Sequence, residues 1–125
     1  MMMPQAVKIY LATAPADMRK AHDGLSALVR QELGENVYSG HLFVFANRRA
    51  DRVKILTFDR GGFVLWYKRL ERGRFRIPKI SNGQRSVKLD AGQLAMLLDG
   101  VDYSRVQRQN RWWKPPEDRK VAAAY

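Results

Sequence analysis

Three consecutive strand-like segments with short connections constrain the fold of this chain more than any other feature. His41–Ala46, Arg52–Phe58 and Phe63–Leu70 are rich in Phe, Val, Ile, Trp and Tyr, residues that are favoured in strands. Asn47–Asp51 joins the first pair of segments, and Asp59–Gly62 joins the second pair. The glycines of the second connection supply the positive φ angles of a tight hairpin. The three segments are therefore predicted to form an antiparallel meander.

Two further strands and a first helix are predicted around the meander. Val7–Leu11 alternates apolar and polar residues and predicts a half-buried strand, and Gln84–Leu89 is a further candidate strand. After the first of these strands, apolar residues recur at helical spacing. They predict a helix that begins at Asp17 or has Asp23 as its N-cap. Gly34 is the expected C-terminal stop of that helix.

The second predicted helix has the clearest boundaries. Asp90 is its expected N-cap, Gln93 completes a capping box, and Gly100 ends it. One apolar face of this helix is formed by Leu94, Leu97, Leu98 and Val101. Together these elements predict a single α+β domain over residues 1–106, an antiparallel sheet of four to five strands with two helices packed on it. Residues 107–125 are polar and basic and are predicted to form a mobile tail.

The net charge of +11 is concentrated in two segments. Residues 48–76 hold ten Lys/Arg against three acids, residues 105–120 hold six against two, and the rest of the chain is neutral. Such a surface attracts polyanions, because phosphate neutralisation releases counterions. The predicted nucleic-acid-binding residues are the basic side chains of the meander and of the segment that follows it, namely Arg48, Arg49, Arg52, Lys54, Lys68, Arg69, Arg72, Arg74 and Arg76.

The meander predicts that these basic residues converge. The turn at Asn47–Asp51 and the end of the third strand lie at the same end of an antiparallel sheet. If Phe58 pairs with Phe63, Arg52 lies opposite Arg69. Like charges directly opposed on a sheet are destabilising, and a bound phosphate would offset that cost. A solvated basic face that blocks edge-to-edge aggregation is the competing interpretation.

Aromatic residues accompany both basic segments. Phe43, Phe45, Trp66 and Tyr67 are predicted to be core residues, although aromatic rings beside cations can also stack on unpaired bases. In the tail, a further candidate contact for a partner or a nucleic acid consists of Arg111, Trp112, Trp113 and Lys114. These tryptophans could pack back onto the domain, insert into a nucleic acid or bind a protein partner, and Trp is favoured at interface anchors.

No catalytic, metal or cofactor site is apparent from the sequence. Cysteine is absent, and the two histidines, His22 and His41, lack metal-ligand spacing. His22 is expected to be a partly buried structural residue, and His41 could contact phosphate. No apolar stretch approaches the roughly 18 residues of a transmembrane helix. A non-enzymatic, cytoplasmic protein is therefore expected.

Five segments of the chain resemble the motifs of a known family. They are Asp17–Leu25, Ser39–Phe45, Asp51–Leu56, Gly62–Phe75 and Gln93–Gly100. Together they resemble the small accessory protein, TnpB, encoded by the second open reading frame of IS-sixty-six-type bacterial insertion sequences. The chain does not resemble the RNA-guided nucleases that share that name. The resemblance covers residues 6–104, with departures at Ala21-His22 and Thr57-Phe58.

The resemblance implies an auxiliary factor for movement of the element, whose strand-cutting transposase is a separate, larger protein. It carries over no catalytic residue. The predicted function is thus non-catalytic DNA binding in transposition, at element ends or on non-specific duplex. No helix carries enough cations to be a major-groove recognition helix, so phosphate contacts are expected to dominate. The alternatives are a protein adaptor that docks on the transposase and an RNA-binding module.

Overall fold

A computed structural model describes residues 6–80 and 82–101. In these residues the strands and α-helices are, in chain order, β1 Ile9–Ala12, α1 His22–Leu28, β2 Leu42–Ala46, β3 Arg52–Asp59, β4 Gly62–Arg69, β5 Ser86–Leu89 and α2 Ala91–Asp99. The five described strands form one sheet in the order β4-β3-β2-β1-β5. The two described α-helices lie outside the sheet.

The predicted α+β class and the meander are confirmed. β2 pairs antiparallel with β3 and β3 with β4, and the register places Phe58 opposite Phe63. The sheet is mixed, however, because β1 pairs parallel with β2 and antiparallel with β5. The connection from β1 to β2 contains α1, and a crossover of this kind is what joins parallel neighbours.

Each face of the sheet is covered by one helix. On the α1 face, Phe43, Phe45 and Leu56 of the sheet pack with Leu25 and Val29. The opposite face, the α2 face, buries a second core. It joins Val44, Val53 and Ile55 of the sheet to Phe75 and Leu97. Alternate residues of one strand therefore enter different cores, as the two-residue period of a strand requires.

The start of the first helix was predicted wrongly. Ala21 is the N-cap, and no side chain caps the helix. Asp17 instead closes a local turn, since its carboxylate accepts hydrogen bonds from the Arg19 backbone N–H (2.9 Å) and guanidinium (2.9 Å). These hydrogen bonds lower the pKa of Asp17 to about 2. A π-helical turn, Val29–Leu33, continues α1 to Gly34, which adopts a left-handed conformation as the predicted stop.

The boundaries of α2 are confirmed. The Asp90 carboxylate accepts the Gln93 backbone N–H at 2.7 Å, and the Gln93 side chain accepts the Asp90 N–H at 2.9 Å. Gly100 follows the helix at φ 70°, where a Cβ would lie 2.8 Å from Leu70 Cδ1 and 3.1 Å from the Arg74 carbonyl oxygen. Glycine thus allows the end of α2 to approach the segment that follows β4.

Candidate nucleic-acid interface

The turn between β2 and β3 and the segment after β4 meet at one end of the sheet. Leu70 donates its backbone N–H to the Asp51 carbonyl (2.9 Å), and Phe75 donates to the Ala50 carbonyl (2.7 Å). Residues 70–75 therefore fold back beside the turn. We call this end of the sheet the basic end; its exposed basic residues are Arg48, Arg49, Arg69, Arg72 and Arg74.

A side-chain hydrogen-bond network holds the turn. Asn47 Nδ2 donates to the Asp51 carboxylate at 2.6 Å, while its Oδ1 accepts the backbone N–H groups of Asp51 (3.1 Å) and Arg52 (3.0 Å). The hydrogen bond from Asn47 lowers the pKa of Asp51, and the charges of Arg49 and Arg52 add to the effect. Asp51, which lies among the arginines, is therefore ionised at neutral pH and bonded within the turn.

Arg52 and Arg69 lie directly opposite one another on β3 and β4, which confirms the predicted register. The Leu70–Asp51 hydrogen bond makes the adjacent Arg52–Arg69 pair a non-hydrogen-bonded one, in which cross-strand side chains approach most closely. Arg52 is half-buried, and its Nε is enclosed without a hydrogen-bond partner. Within residues 6–80 and 82–101, no salt bridge joins either arginine to an acid.

Lys54 and Tyr67 form the next cross-strand pair on the same face. Lys54 Nζ donates to the Lys20 carbonyl oxygen at 2.8 Å and lies 5.4 Å from the centroid of the Tyr67 ring. Lys54 thus fastens the loop before α1 to the sheet at a position next to Arg52 and Arg69. Strand alternation assigns all four side chains to the α1 face.

Two predicted binding residues lie on the other side of the sheet. Lys68 faces α2, where its Nζ donates to the Leu98 carbonyl at 2.9 Å and lies 6.0 Å from the Phe75 ring centroid. A lysine at a helix C-terminus satisfies a free carbonyl and complements the helix dipole. Arg76 is half-buried beside α2, with an enclosed Nε that lacks a partner. The nine predicted residues are therefore divided between the two faces.

Sequence reasoning missed two lysines near the basic end. Lys20 is exposed and is joined to Lys54 through its own carbonyl. Lys79 lines an open groove of about 450 Å³, and Arg48 and residues 12–15 line the same groove. Both lie outside the meander in sequence, so only the tertiary contacts reveal their position.

The aromatic residues of the meander divide between core and surface. Phe43 and Phe45 are 0% and 1% exposed, as predicted for core residues, whereas Trp66 and Tyr67 are 41% and 48% exposed. The core prediction was wrong for the last two, because β4 is the edge strand and neither helix extends over it fully. Trp66 pairs with Ile55 on the α2 face, and Tyr67 lies on the α1 face.

The histidines have structural contacts. His22 is exposed, contrary to the prediction, and stacks on Phe63 with ring centroids 5.6 Å apart. His41 Nδ1 accepts the Lys8 backbone N–H at 3.0 Å, a contact that fixes the start of β1 beside β2. Among the described residues, no group of three or more His, Cys, Asp or Glu could hold a metal ion. No helix in the same residues is long and apolar enough to span a membrane.

The last described residue, Val101, lies next to the basic end. Val101 pairs with Arg74 through two backbone hydrogen bonds of 2.8 and 2.9 Å. The predicted tail contacts Arg111, Trp112, Trp113 and Lys114 lie outside the described residues.

Residues 7–108 match the family described as IS66 Orf2 like protein. The chain belongs to this family. The IS66 Orf2-like proteins are accessory proteins of insertion sequences, and the match spans the whole sheet, both helices and all nine basic positions. The resemblance inferred from the sequence motifs is therefore confirmed.

Two relatives of similar length come from Sinorhizobium fredii (strain NBRC 101917 / NGR234). The uncharacterized protein y4jC is 34% identical over 105 residues, which cover 84% of this chain and 88% of y4jC. The uncharacterized protein y4hO is 35% identical over 111 residues, which cover 89% of this chain and 92% of y4hO. No solved structure matches the chain.

Proposed function

We propose that this accessory protein binds DNA during transposition of its insertion sequence, mainly through phosphates, and does not itself catalyse a reaction. Family membership supports the transposition context. The basic end of the sheet supports the choice of a polyanionic partner.

The Arg52–Arg69 pair carries the proposal. Arg52 and Arg69 occupy directly opposed positions on neighbouring strands, and within the described residues no salt bridge joins either of them to an acid. A like-charge pair in this position costs stability in the free protein. A phosphate oxygen between the two side chains would accept charge-assisted hydrogen bonds from both and would offset that cost.

The surrounding charges extend the contact beyond one phosphate. Arg48 and Arg49 lie on the turn, and Arg72 and Arg74 lie on the adjoining segment, all of them exposed. By contrast, α1 and α2 contain no lysine or arginine. In the described part of the chain, cations on turns and strand ends, with none in α1 or α2, favour backbone contacts over base readout in the major groove.

A salt titration of binding tests the proposal. The purified protein is titrated with duplex carrying the element's end and, separately, with scrambled duplex. With four to six phosphate contacts, log K should fall against log salt with a slope of about −4 to −5. The double variant Arg52→Glu/Arg69→Glu should bind much more weakly and with a smaller slope. Arg69→Glu alone is compared with Arg60→Glu, on the tip of the same hairpin, which makes the same change in net charge and is the control for a general charge effect.

Two outcomes would overturn the proposal. Absence of binding to either duplex at about 50 mM salt, where phosphate contacts are strong, would instead favour an adaptor that docks on the transposase. Tighter binding to RNA of the same sequence would favour an RNA-binding module. A preference for the element's end over scrambled duplex would add sequence specificity to the DNA-binding function.

A further inference from the structure

Tyr67 is exposed, whereas the other aromatic residues that the strands place on the α1 face are buried or half-buried. Its side chain is 48% exposed, whereas Tyr10, Phe43 and Phe45 on the same face are 7%, 0% and 1% exposed. These buried rings lie under α1, but β4 is at the edge of the sheet. The edge position leaves the Tyr67 ring open to a ligand.

Three cations surround the Tyr67 ring on the two strands. Arg69 is two residues along β4 from Tyr67 and therefore on the same face, about 7 Å away. Lys54 lies opposite Tyr67, and Arg52 lies opposite Arg69. Both cross-strand pairs are of the non-hydrogen-bonded type, with Cα atoms about 4.5 Å apart. The four side chains thus occupy the corners of a rectangle, with three cations and one ring.

The rectangle is anchored on one side and open on the other. Lys54 Nζ is held by the Lys20 carbonyl at 2.8 Å and lies over the Tyr67 ring, 5.4 Å from its centroid, so a base would stack on the opposite face of the ring. Arg69 is exposed and Arg52 is half-buried, and no salt bridge within the described residues involves either side chain. The arginines can therefore take an anion next to the ring.

From this juxtaposition we propose that the α1 face binds an unpaired nucleotide, with its base stacked on Tyr67 and its phosphate held by Arg52 and Arg69. This site rests on the proposed DNA-binding function and adds to it a preference for single-stranded or unpaired DNA. In a duplex the base faces are already stacked on each other, so only phosphates are accessible to this face. A ring flanked by cations can use both parts of an unpaired nucleotide.

Alanine substitution of Tyr67 tests the stacking contact. The probes are a single-stranded DNA of about 12 nucleotides, within the usual site size of such surfaces, and a duplex of the same sequence. Tyr67→Ala should weaken binding to the single strand about tenfold or more and leave duplex binding nearly unchanged. Tyr67→Phe, which keeps the ring, should retain single-strand binding.

Tyr38→Ala is the matched control. Tyr38 is 63% exposed and contacts Phe58 and Phe63 at the opposite end of the β3–β4 hairpin, so its removal should leave both affinities unchanged. Thermal unfolding of each variant establishes that it is folded. Photo-cross-linking with 5-iodouracil in the single strand should give an adduct at Tyr67, a readout that a purely structural role would not produce.

The outcomes separate this site from the general function. If duplex binds with the expected salt slope but Tyr67→Ala leaves single-strand binding unchanged, the stacking site is refuted and the DNA-binding function stands. Equal losses on single strand and duplex would also refute stacking. If neither probe binds, the proposed function fails and the site fails with it. Tighter binding to single-stranded RNA than to DNA would overturn the assignment to DNA.

Discussion

Replacing Arg69 with glutamate should stabilise the free protein and weaken its binding to DNA. In the native chain Arg69 faces Arg52 across β3 and β4, and no salt bridge to either residue exists among the described residues. The substitution turns a like-charge pair into an opposite-charge pair. It also offers an acceptor to the enclosed Arg52 Nε, which has none.

The size of the stabilisation follows from the position of the pair. Two unit charges about 6 Å apart interact by about 0.7 kcal/mol in water and about 3 kcal/mol at an effective dielectric constant of 20. Arg69 is exposed and Arg52 is half-buried, so solvent screening places the effect near the lower limit. Removing a repulsion and adding an attraction of similar size gives about 1 kcal/mol, or about 4 °C in Tm for a domain of this length.

Thermal unfolding at two salt concentrations measures this effect. The gain in Tm should be about 4 °C at low salt and should largely disappear at about 1 M salt, where the Debye length is about 3 Å. Arg60→Glu makes the same change in net charge at the opposite end of the hairpin and should give a much smaller gain. A stabilisation that is absent, equal in the two variants or insensitive to salt would refute the reasoning.

Three further predictions concern the two ends of α2 and the turn between β2 and β3. Asp90→Ala removes the cap of α2 and should lower the free energy of unfolding by about 1 kcal/mol in urea titrations, whereas the exposed Asp99→Ala should have little effect. Gly100→Ala should destabilise more than Gly34→Ala. Only at Gly100 would the Cβ meet other atoms, at 2.8 and 3.1 Å, and Gly100 also has ψ 178°, a conformation that is essentially restricted to glycine, whereas Gly34 is in the left-handed helical region. The difference in Tm therefore measures the close contact and the backbone strain together. Asn47→Ala should raise the pKa of Asp51, which an NMR titration of the carboxyl group measures. Because the folded pKa lies below the unfolded value, Asp51 contributes stability above about pH 4. That contribution is lost as the pH falls through the folded pKa. The stability of the Asn47→Ala variant should therefore decrease less over this pH range.

Local signals predicted most of the elements correctly. The hairpin glycines and the β-rich segments located the meander, and the capping box of Asp90 and Gln93 located α2, because these interactions occur between residues close in sequence. The start of α1 was missed because Asp17, a good N-cap in sequence, forms hydrogen bonds with Arg19 instead. The parallel pairing of β1 was missed because it depends on a distant strand.

The candidate site was predictable only in part, because some of its contacts join residues close in sequence and others join distant segments. The register of a hairpin is set by its turn, so the opposition of Arg52 and Arg69 followed from the sequence. The function of the other cations depends on which face they occupy and what packs there. Lys68 bonds a carbonyl of α2, and Lys54 bonds the Lys20 carbonyl. Neither contact has a signal in the sequence.

The sequence alone thus determined the class of fold, the hairpin register, the family and the concentration of positive charge, since each depends on composition or short-range pattern. Only the tertiary structure decided which strand became an edge. That position leaves Trp66 and Tyr67 exposed while Phe43 and Phe45, aromatic residues of the same meander, are buried. Burial depends on what packs over a residue, and for these strands the covering helices come from distant parts of the chain.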